Sequence, residues 1–209
     1  MNKKFVSNKD ESARLFKNDI FEALSKTHWT APLYFFIPII IYLLYSGIIV
    51  YRIETVNSLI LFFFGLLIWS ATEYILHRFI FHYSPVSDYG KRLHFLFHGV
   101  HHHYPNDSGR LVMPPSLSIP LATLFYLVFQ QFLGYVNNLL FSAGFLTGYL
   151  IYDILHYAIH HFKMRNKLWL FIRNHHMKHH YQNPEKGFGV SQPIWDYFFG
   201  TMFSKSQSK

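Results

Sequence analysis

The chain has 209 residues, of which 51% are hydrophobic, 20% aromatic and only 14% charged, a balance too apolar for an ordinary water-soluble domain and better suited to a membrane. It contains no cysteine, which excludes disulfides, thiolate-ligated haem and cysteine-held iron–sulfur clusters. The formal charge of +8 raises the question of a nucleic-acid partner, which only the placement of that charge along the chain can answer.

Residues 1–29 are polar and mixed in charge, with Lys3, Lys4, Lys9, Asp10, Glu11, Arg14 and Lys17. They show no apolar stretch followed by a cleavage site, so they read as a cytoplasmic lead-in and not as a signal peptide. Leu15, Phe16, Ile20, Phe21 and Leu24 recur near helical spacing over residues 10–24, which predicts a helix on the membrane surface; packing on a cytoplasmic cap explains the same pattern equally well. Residues 31–51 carry no charge and, at about 1.5 Å per residue, can cross a hydrocarbon core roughly 30 Å thick. A second span is predicted over 55–76, broken only by Glu73. A third (114–136) and a fourth (137–160) follow, joined by a tight turn centred on Gly134, Asn137 and Asn138. The reading is all-α: four transmembrane helices with a cytoplasmic helical cap, residues 30–203 forming one membrane domain and 204–209 a polar tail.

Basic residues fix the expected orientation, because Lys and Arg beside spans stay in the cytoplasm. Six fall in residues 1–30, four in 77–113 and eight in 161–209, all on one side of a four-span chain, and only Arg52 lies on the other. The positive charge is thereby a topology signal facing anionic headgroups, and nucleic acid drops out as a partner. Both termini are expected in the cytoplasm.

Fourteen of the fifteen histidines lie in four windows, residues 77–82, 94–103, 156–161 and 175–180, and His28 stands apart. The predicted topology brings all four windows to one membrane face. His98 and His102, His156 and His160, and His176 and His180 are i,i+4 neighbours, with His101 and His179 as i+3 partners, so each pair can grip one ion. His77 and His82, five apart, fall about 140° around an ideal helix, and are expected to reach different ions or to flank a helix end. Ten imidazoles (His77, His82, His98, His101, His102, His156, His160, His176, His179 and His180) exceed the needs of one ion and point to two. Imidazole suits iron, copper, zinc and nickel alike. His94, His103, His161 and His175 lie beside the regular pairs as outer or exposed groups. Glu73, one turn before His77, and Asp153, three residues before His156, are placed to accept the second ring N–H of a ligand.

This histidine pattern resembles the fatty acid hydroxylase and sterol desaturase superfamily of membrane di-iron enzymes, over residues 30–203. The run His94-Phe95-Leu96-Phe97-His98-Gly99-Val100-His101-His102-His103-Tyr104-Pro105, then Asp107 and Arg110-Leu111-Val112-Met113-Pro114-Pro115, with Tyr152-Asp153 before His156, resembles the fatty acid 2-hydroxylase branch. Gly187-Phe188-Gly189 and Trp195-Asp196-Tyr197-Phe198-Phe199-Gly200-Thr201 resemble the superfamily's closing signature. The resemblance implies O2-dependent hydroxylation beside the acyl carbonyl, on free acids or sphingolipids, by two iron ions held by the ten histidines, zinc being able to replace iron in purified protein. It also implies Asp153, Tyr152 and Glu73 as catalytic residues and a membrane lipid as substrate. Many eukaryotic members carry a fused cytochrome b5 domain, for which the lead-in is too short. A separate cytochrome b5-like or ferredoxin-like donor with its reductase is therefore expected. The tail wall is expected among Phe62, Phe63, Phe64, Trp69, Phe125 and Phe129.

Three other readings compete. A sterol or carotenoid hydroxylase or desaturase would keep the histidines, but the 110–115 stretch argues against it. A two-zinc hydrolase would more often mix carboxylates into the set. A histidine-rich metal-binding or transport protein would need polar groups through the bilayer, and the first and third spans have essentially none.

Overall fold

The computed structural model describes residues 5–204. Lys3, Lys4 and the expected tail beyond Ser204 lie outside the described residues. Among these all the regular structure is helical: α1 (Asp19–Leu24), α2 (Ala31–Tyr45), α3 (Thr55–Ile75), α4 (Asp88–His94), α5 (Val100–His103), α6 (Pro115–His161), α7 (Lys167–Tyr181) and α8 (Ile194–Phe198). Wider π-type winding extends α2 over Ser46–Val50 and α3 over Leu76–Phe81, and joins α4 to α5 over Phe95–Gly99. Three stretches, Ala31–Val50, Thr55–Phe81 and Pro115–His161, are long and apolar enough to cross a membrane.

The longest of the three cannot be one rod, since 47 residues would reach about 70 Å. Gly134 breaks it, with φ 71° and ψ 165°, a conformation that glycine alone adopts without strain. The two limbs then fold back on one another. Phe125 meets Phe145 at 5.2 Å and Phe129 meets Phe141 at 4.9 Å between ring centroids. Asn137 and Asn138, expected in the turn, are helical instead. Asn138 is fully buried, donates to the Tyr126 carbonyl (3.1 Å) and accepts from Ser142 (2.8 Å), tying limb to limb.

The second limb is the axis of the bundle. α2 runs antiparallel to it, with Phe36 against Tyr149 (5.0 Å) and Tyr51 against Tyr135 (5.7 Å). α3 runs parallel to it and comes so close that a Cβ on Gly65 would strike the Phe141 carbonyl, and one on Gly144 the Phe62 carbonyl. Small residues let the backbones touch, as in other apolar helix pairs. The core consists of Phe36, Leu43, Trp69, Leu139, Ala143, Phe145, Leu146, Tyr149 and Leu150. This order brings the ends of α3 and α6, both histidine-bearing, to the same end of the bundle.

The lead-in lies across that end. The amides of Val6 and Ser7 donate to the His103 carbonyl, and Arg110, nearly fully buried, pairs with Glu22 (2.6 Å) and Asp107 (3.3 Å). The helix expected over 10–24 is confined to Asp19–Leu24, because Asn18 caps it there and the Glu22 carboxylate takes up the amides of Leu15 and Phe16. Ile20, Phe21 and Leu24 remain exposed, as a surface-lying helix requires.

Two predictions follow from this packing. Gly65→Ala and Gly144→Ala should each lower stability by about 1–3 kcal/mol in thermal unfolding, through overpacking at the α3–α6 contact. For Glu22, burial acts to raise the carboxyl, but Lys26, the Leu15 and Phe16 amides and Arg110 outweigh it and bring it from 4.5 to about 2. With its folded value depressed, Glu22 holds the lead-in fully above pH 4.5 and progressively loses it as pH falls toward 2. A spin label at Lys17→Cys should gain mobility over that interval, and Glu22→Gln should be mobile already at pH 7.

Candidate metal centre

The ten predicted imidazoles converge in two groups of five, with the ligating atoms of each group within 4.8 Å of one another. His77, His82, His98, His102 and His179 form the first, and His101, His156, His160, His176 and His180 the second. The three i,i+4 pairs each stay within one group, as their shared helix face requires. The i+3 partners do not: His101 parts from His98 and His179 from His176. The 95–103 rod and α7 therefore each serve both groups, which lie side by side, with the rings of His102 and His180 4.4 Å apart.

Of the two expectations for His77 and His82, a helix end between them holds, since the helical winding stops at Phe81, and different ions fails, since both enter the first group. The reason is the π-type winding over Leu76–Phe81, in which the His82 amide bonds to the His77 carbonyl five residues back (3.1 Å). Five residues then make little more than one turn, and the two rings share a face. His98 sits in the other such stretch, Phe95–Gly99. On α7, the Asn166 side chain caps the first turn through the Leu168 amide (2.8 Å) and starts the helix carrying His176, His179 and His180.

The donor geometry fits bound cations. His77 Nδ1 donates to the Phe188 carbonyl (2.6 Å) and His179 Nδ1 to the Lys186 carbonyl (2.7 Å). A carbonyl only accepts, so both rings carry their proton on Nδ1 and bare a lone pair at Nε2. Those lone pairs point at other imidazoles: His77 Nε2 is 3.1 Å from His98 Nε2, and His179 Nε2 is 3.2 Å from His102 Nε2. In the second group His176 Nε2 lies 3.1, 3.1 and 3.0 Å from Nε2 of His156, His160 and His180. One ring N–H cannot serve three such contacts. Nitrogens held about 2.1 Å from a metal ion lie about 3.0 Å apart at right angles and about 3.4 Å apart in a tetrahedron, so the observed spacing suits an ion taking five or six ligands.

Burial supports the same chemistry. Desolvation, reinforced by neighbouring imidazoles, holds His98, His101, His176, His179 and His180 well below the usual imidazole range and brings His102 to about 3. Neutral imidazole is the form that ligates.

Neither buried acid bonds a histidine, contrary to expectation. Glu73 accepts from the Val190 and Ser191 amides (2.7 and 2.8 Å) and the Ser191 hydroxyl, and Asp153 from the Met113 amide (3.2 Å) and the Tyr149 hydroxyl (3.0 Å). Backbone carbonyls take the role assigned to them. Tyr152 lies beside the second group, its ring 5.7 Å from that of His156.

The residue that sequence reasoning missed is Asp196. It is fully buried and accepts from the amides of Phe188 and Gly189 (both 2.8 Å), from Thr201 (2.7 Å) and from His175 (2.9 Å), shaping the loop that offers Phe188 O to His77. Its place in the closing 195–201 motif was the available signal. His94, His103 and His161 belong to neither group, and His28 is exposed and bonded to Thr30.

Beside the histidines lies a narrow, mostly apolar cleft between α3 and the two limbs of α6. Leu121, Ala122, Phe125, Phe145 and Leu146 line it, and Glu73, Phe81, Ser118 and Tyr152 lie on its wall as well. Trp69 and Phe125, of the expected tail wall, line it; Phe62 and Phe129 pack against the core, and Phe63 and Phe64 are exposed.

An all-helical bundle with membrane-length apolar helices and ten converging histidines has the architecture of a membrane hydroxylase. The fatty acid hydroxylase family model matches residues 62–201, and the chain belongs to that family. It is 37% identical to fatty acid 2-hydroxylase of Rattus norvegicus, over 90% of this chain and 56% of that one. It is 34% identical to dihydroceramide fatty acyl 2-hydroxylase FAH2 of Arabidopsis thaliana, over 92% of this chain and 81% of that one. A solved structure of full-length scs7p, with only the hydroxylase domain visible, superposes with a TM-score of 0.84 at 35% identity, covering 90% of this chain and 71% of that one. The chain thus spans little more than half the length of the rat relative.

Replacing Glu73 tests the frame around the histidines. Glu73→Leu strips three donors of their acceptor. It should cost at least about 2 kcal/mol in thermal unfolding, and Glu73→Gln less.

Proposed function

We propose that the chain is an O2-dependent 2-hydroxylase of fatty acyl chains, free or held in a ceramide-type sphingolipid, with two iron ions held by the ten histidines. The observation that carries this reading is the convergence of Nε2 lone pairs into two all-imidazole sets beside an apolar pocket. The two relatives named above, a fatty acid 2-hydroxylase and a dihydroceramide fatty acyl 2-hydroxylase, supply the substrate class. In the reaction an acyl C–H becomes C–OH, one oxygen atom of O2 enters the product, and the other leaves as water with two electrons and two protons. Those electrons come from a carrier of the cytochrome b5 or ferredoxin type. When bound, the iron pair supplies the O2 chemistry.

The chain's own residues do the rest. Leu121, Ala122, Phe125, Phe145 and Leu146 hold the tail, keep water out and leave the carbonyl end toward Tyr152 and the histidines. Ser118 lies buried on the pocket wall beside Tyr149. Glu73 and Asp153 position the site by clamping Val190, Ser191 and Met113. With the break at Gly134, the three apolar stretches make four crossings, and the Lys and Arg distribution sets both termini and the histidines on the cytoplasmic side.

Lipids from cells with and without the gene, compared by mass spectrometry, test the activity. A rise in 2-hydroxylated acyl chains is expected; an unchanged level with the folded, iron-loaded protein present would overturn it. Ala122→Trp should fill the pocket and lower product more than ten-fold while elemental analysis still finds two metal ions per chain. His102→Ala with His179→Ala should leave one.

A further inference from the structure

The short helix α8 presents a face that its neighbours do not cover. Ile194, Tyr197, Phe198 and Phe199 are 57%, 76%, 69% and 56% exposed. The one charged residue of the helix, Asp196, is turned fully inward, where it holds the Phe188–Gly189 loop. In water such a face would be an uncompensated apolar patch on a small element.

Its position along α3 says what covers it. The Trp195 indole N–H donates to Ser70 Oγ (3.1 Å), and Phe199 stacks on Tyr74 (5.3 Å). Tyr74 is tied in turn to Thr201 (2.9 Å). Ser70 precedes His77 by seven residues, about 10 Å of helix, so α8 does not sit on the outer surface of the cap. It hangs beside α3, well inside the apolar stretch Thr55–Phe81. The outward residues of α3 around it, Phe63, Phe64, Leu67, Ile75, Phe79 and Ile80, are 47–60% exposed and apolar, so the face of α8 continues their band.

We propose that α8 is inserted among the acyl chains of the bilayer, a re-entrant wedge that fixes the 188–201 loop, and through it His77, to the membrane. Backbone amides of α8 are met from within the protein, Ile194 N–H donating to Gln192 Oε1 (2.7 Å), Tyr197 N–H to the Pro193 carbonyl (3.1 Å) and Phe199 N–H to the Trp195 carbonyl (2.9 Å). Tyr197 supplies an amphipathic ring of the kind enriched where lipid meets water. The inference rests on the span of α3 and is independent of the substrate reading.

Because the chain has no cysteine, single cysteines can carry spin labels without background. The full chain would be labelled at Ile194→Cys, Tyr197→Cys and Phe198→Cys, with Phe63→Cys as the lipid reference and Glu185→Cys as the water reference, in phosphatidylcholine vesicles. Collision rates with O2 and with a water-soluble nickel chelate would then be compared. The α8 labels should match Phe63, with an O2-to-nickel ratio at least three-fold above that of Glu185. A ratio equal to that of Glu185 would put α8 in water and overturn the proposal. So would protection from both reagents, which would mean that protein covers the helix. Three positions keep the test decisive if one variant fails to fold.

Discussion

Ten neutral imidazoles brought lone pair to lone pair would repel one another, and burial removes the water that would otherwise relieve them. In this chain the Phe188 and Lys186 carbonyls fix two of the rings in the tautomer that makes this conflict unavoidable. Cations held at the two convergence points would replace that repulsion with ligand contacts. They would also tie α5 and α7 to the closely packed α3–α6 pair, which these two helices meet chiefly at its end. Metal binding and the folding of the cap would then be one process, as in other proteins whose ligands come from separated segments. The bundle beneath provides the rigid part. Gly65, Gly144 and Gly148 let α3 lie against α6 closely enough that His77 and His156 arrive at the same level.

A second layer of carboxylates supports the first without touching the ten converging histidines. Glu73 and Asp196 act on opposite ends of one loop, the former holding Val190 and Ser191, the latter Phe188 and Gly189. The ring of His77 is therefore set by Phe188 and Asp196, more than a hundred positions away, together with Glu73 one turn before it. Asp153 does the equivalent for the segment entering α6, through the Met113 amide. Each acid is buried and fully engaged, so these groups hold the frame rigid around a site that must keep its geometry through turnover.

What the sequence makes legible is whatever obeys a regular period. The i,i+4 histidine pairs, the apolar stretches and the break at Gly134 all appear in it. The common placement of His77 and His82 does not, because local π-type winding changes the angular step in a way no ideal period predicts. The i,i+3 neighbours His98 and His101, and His176 and His179, serve different groups, which spacing alone does not assign. Contacts between distant segments, such as Glu73 with Ser191 or His175 with Asp196, are set by tertiary packing and leave no spacing to read. The expected long helix over the lead-in fails for a similar reason: Glu22 and Asn18 capture backbone amides that the helix would have used.

The central claim is that two ions each sit among five imidazole nitrogens and no carboxylate from the chain. X-ray absorption at the iron edge, on protein purified anaerobically in its ferrous form, addresses it directly. The account predicts a first shell dominated by nitrogen at about 2.1 Å, with the outer-shell scattering of several imidazole rings. A shell dominated by oxygen with carboxylate carbon behind it, or one with only two or three imidazoles per ion, would contradict it.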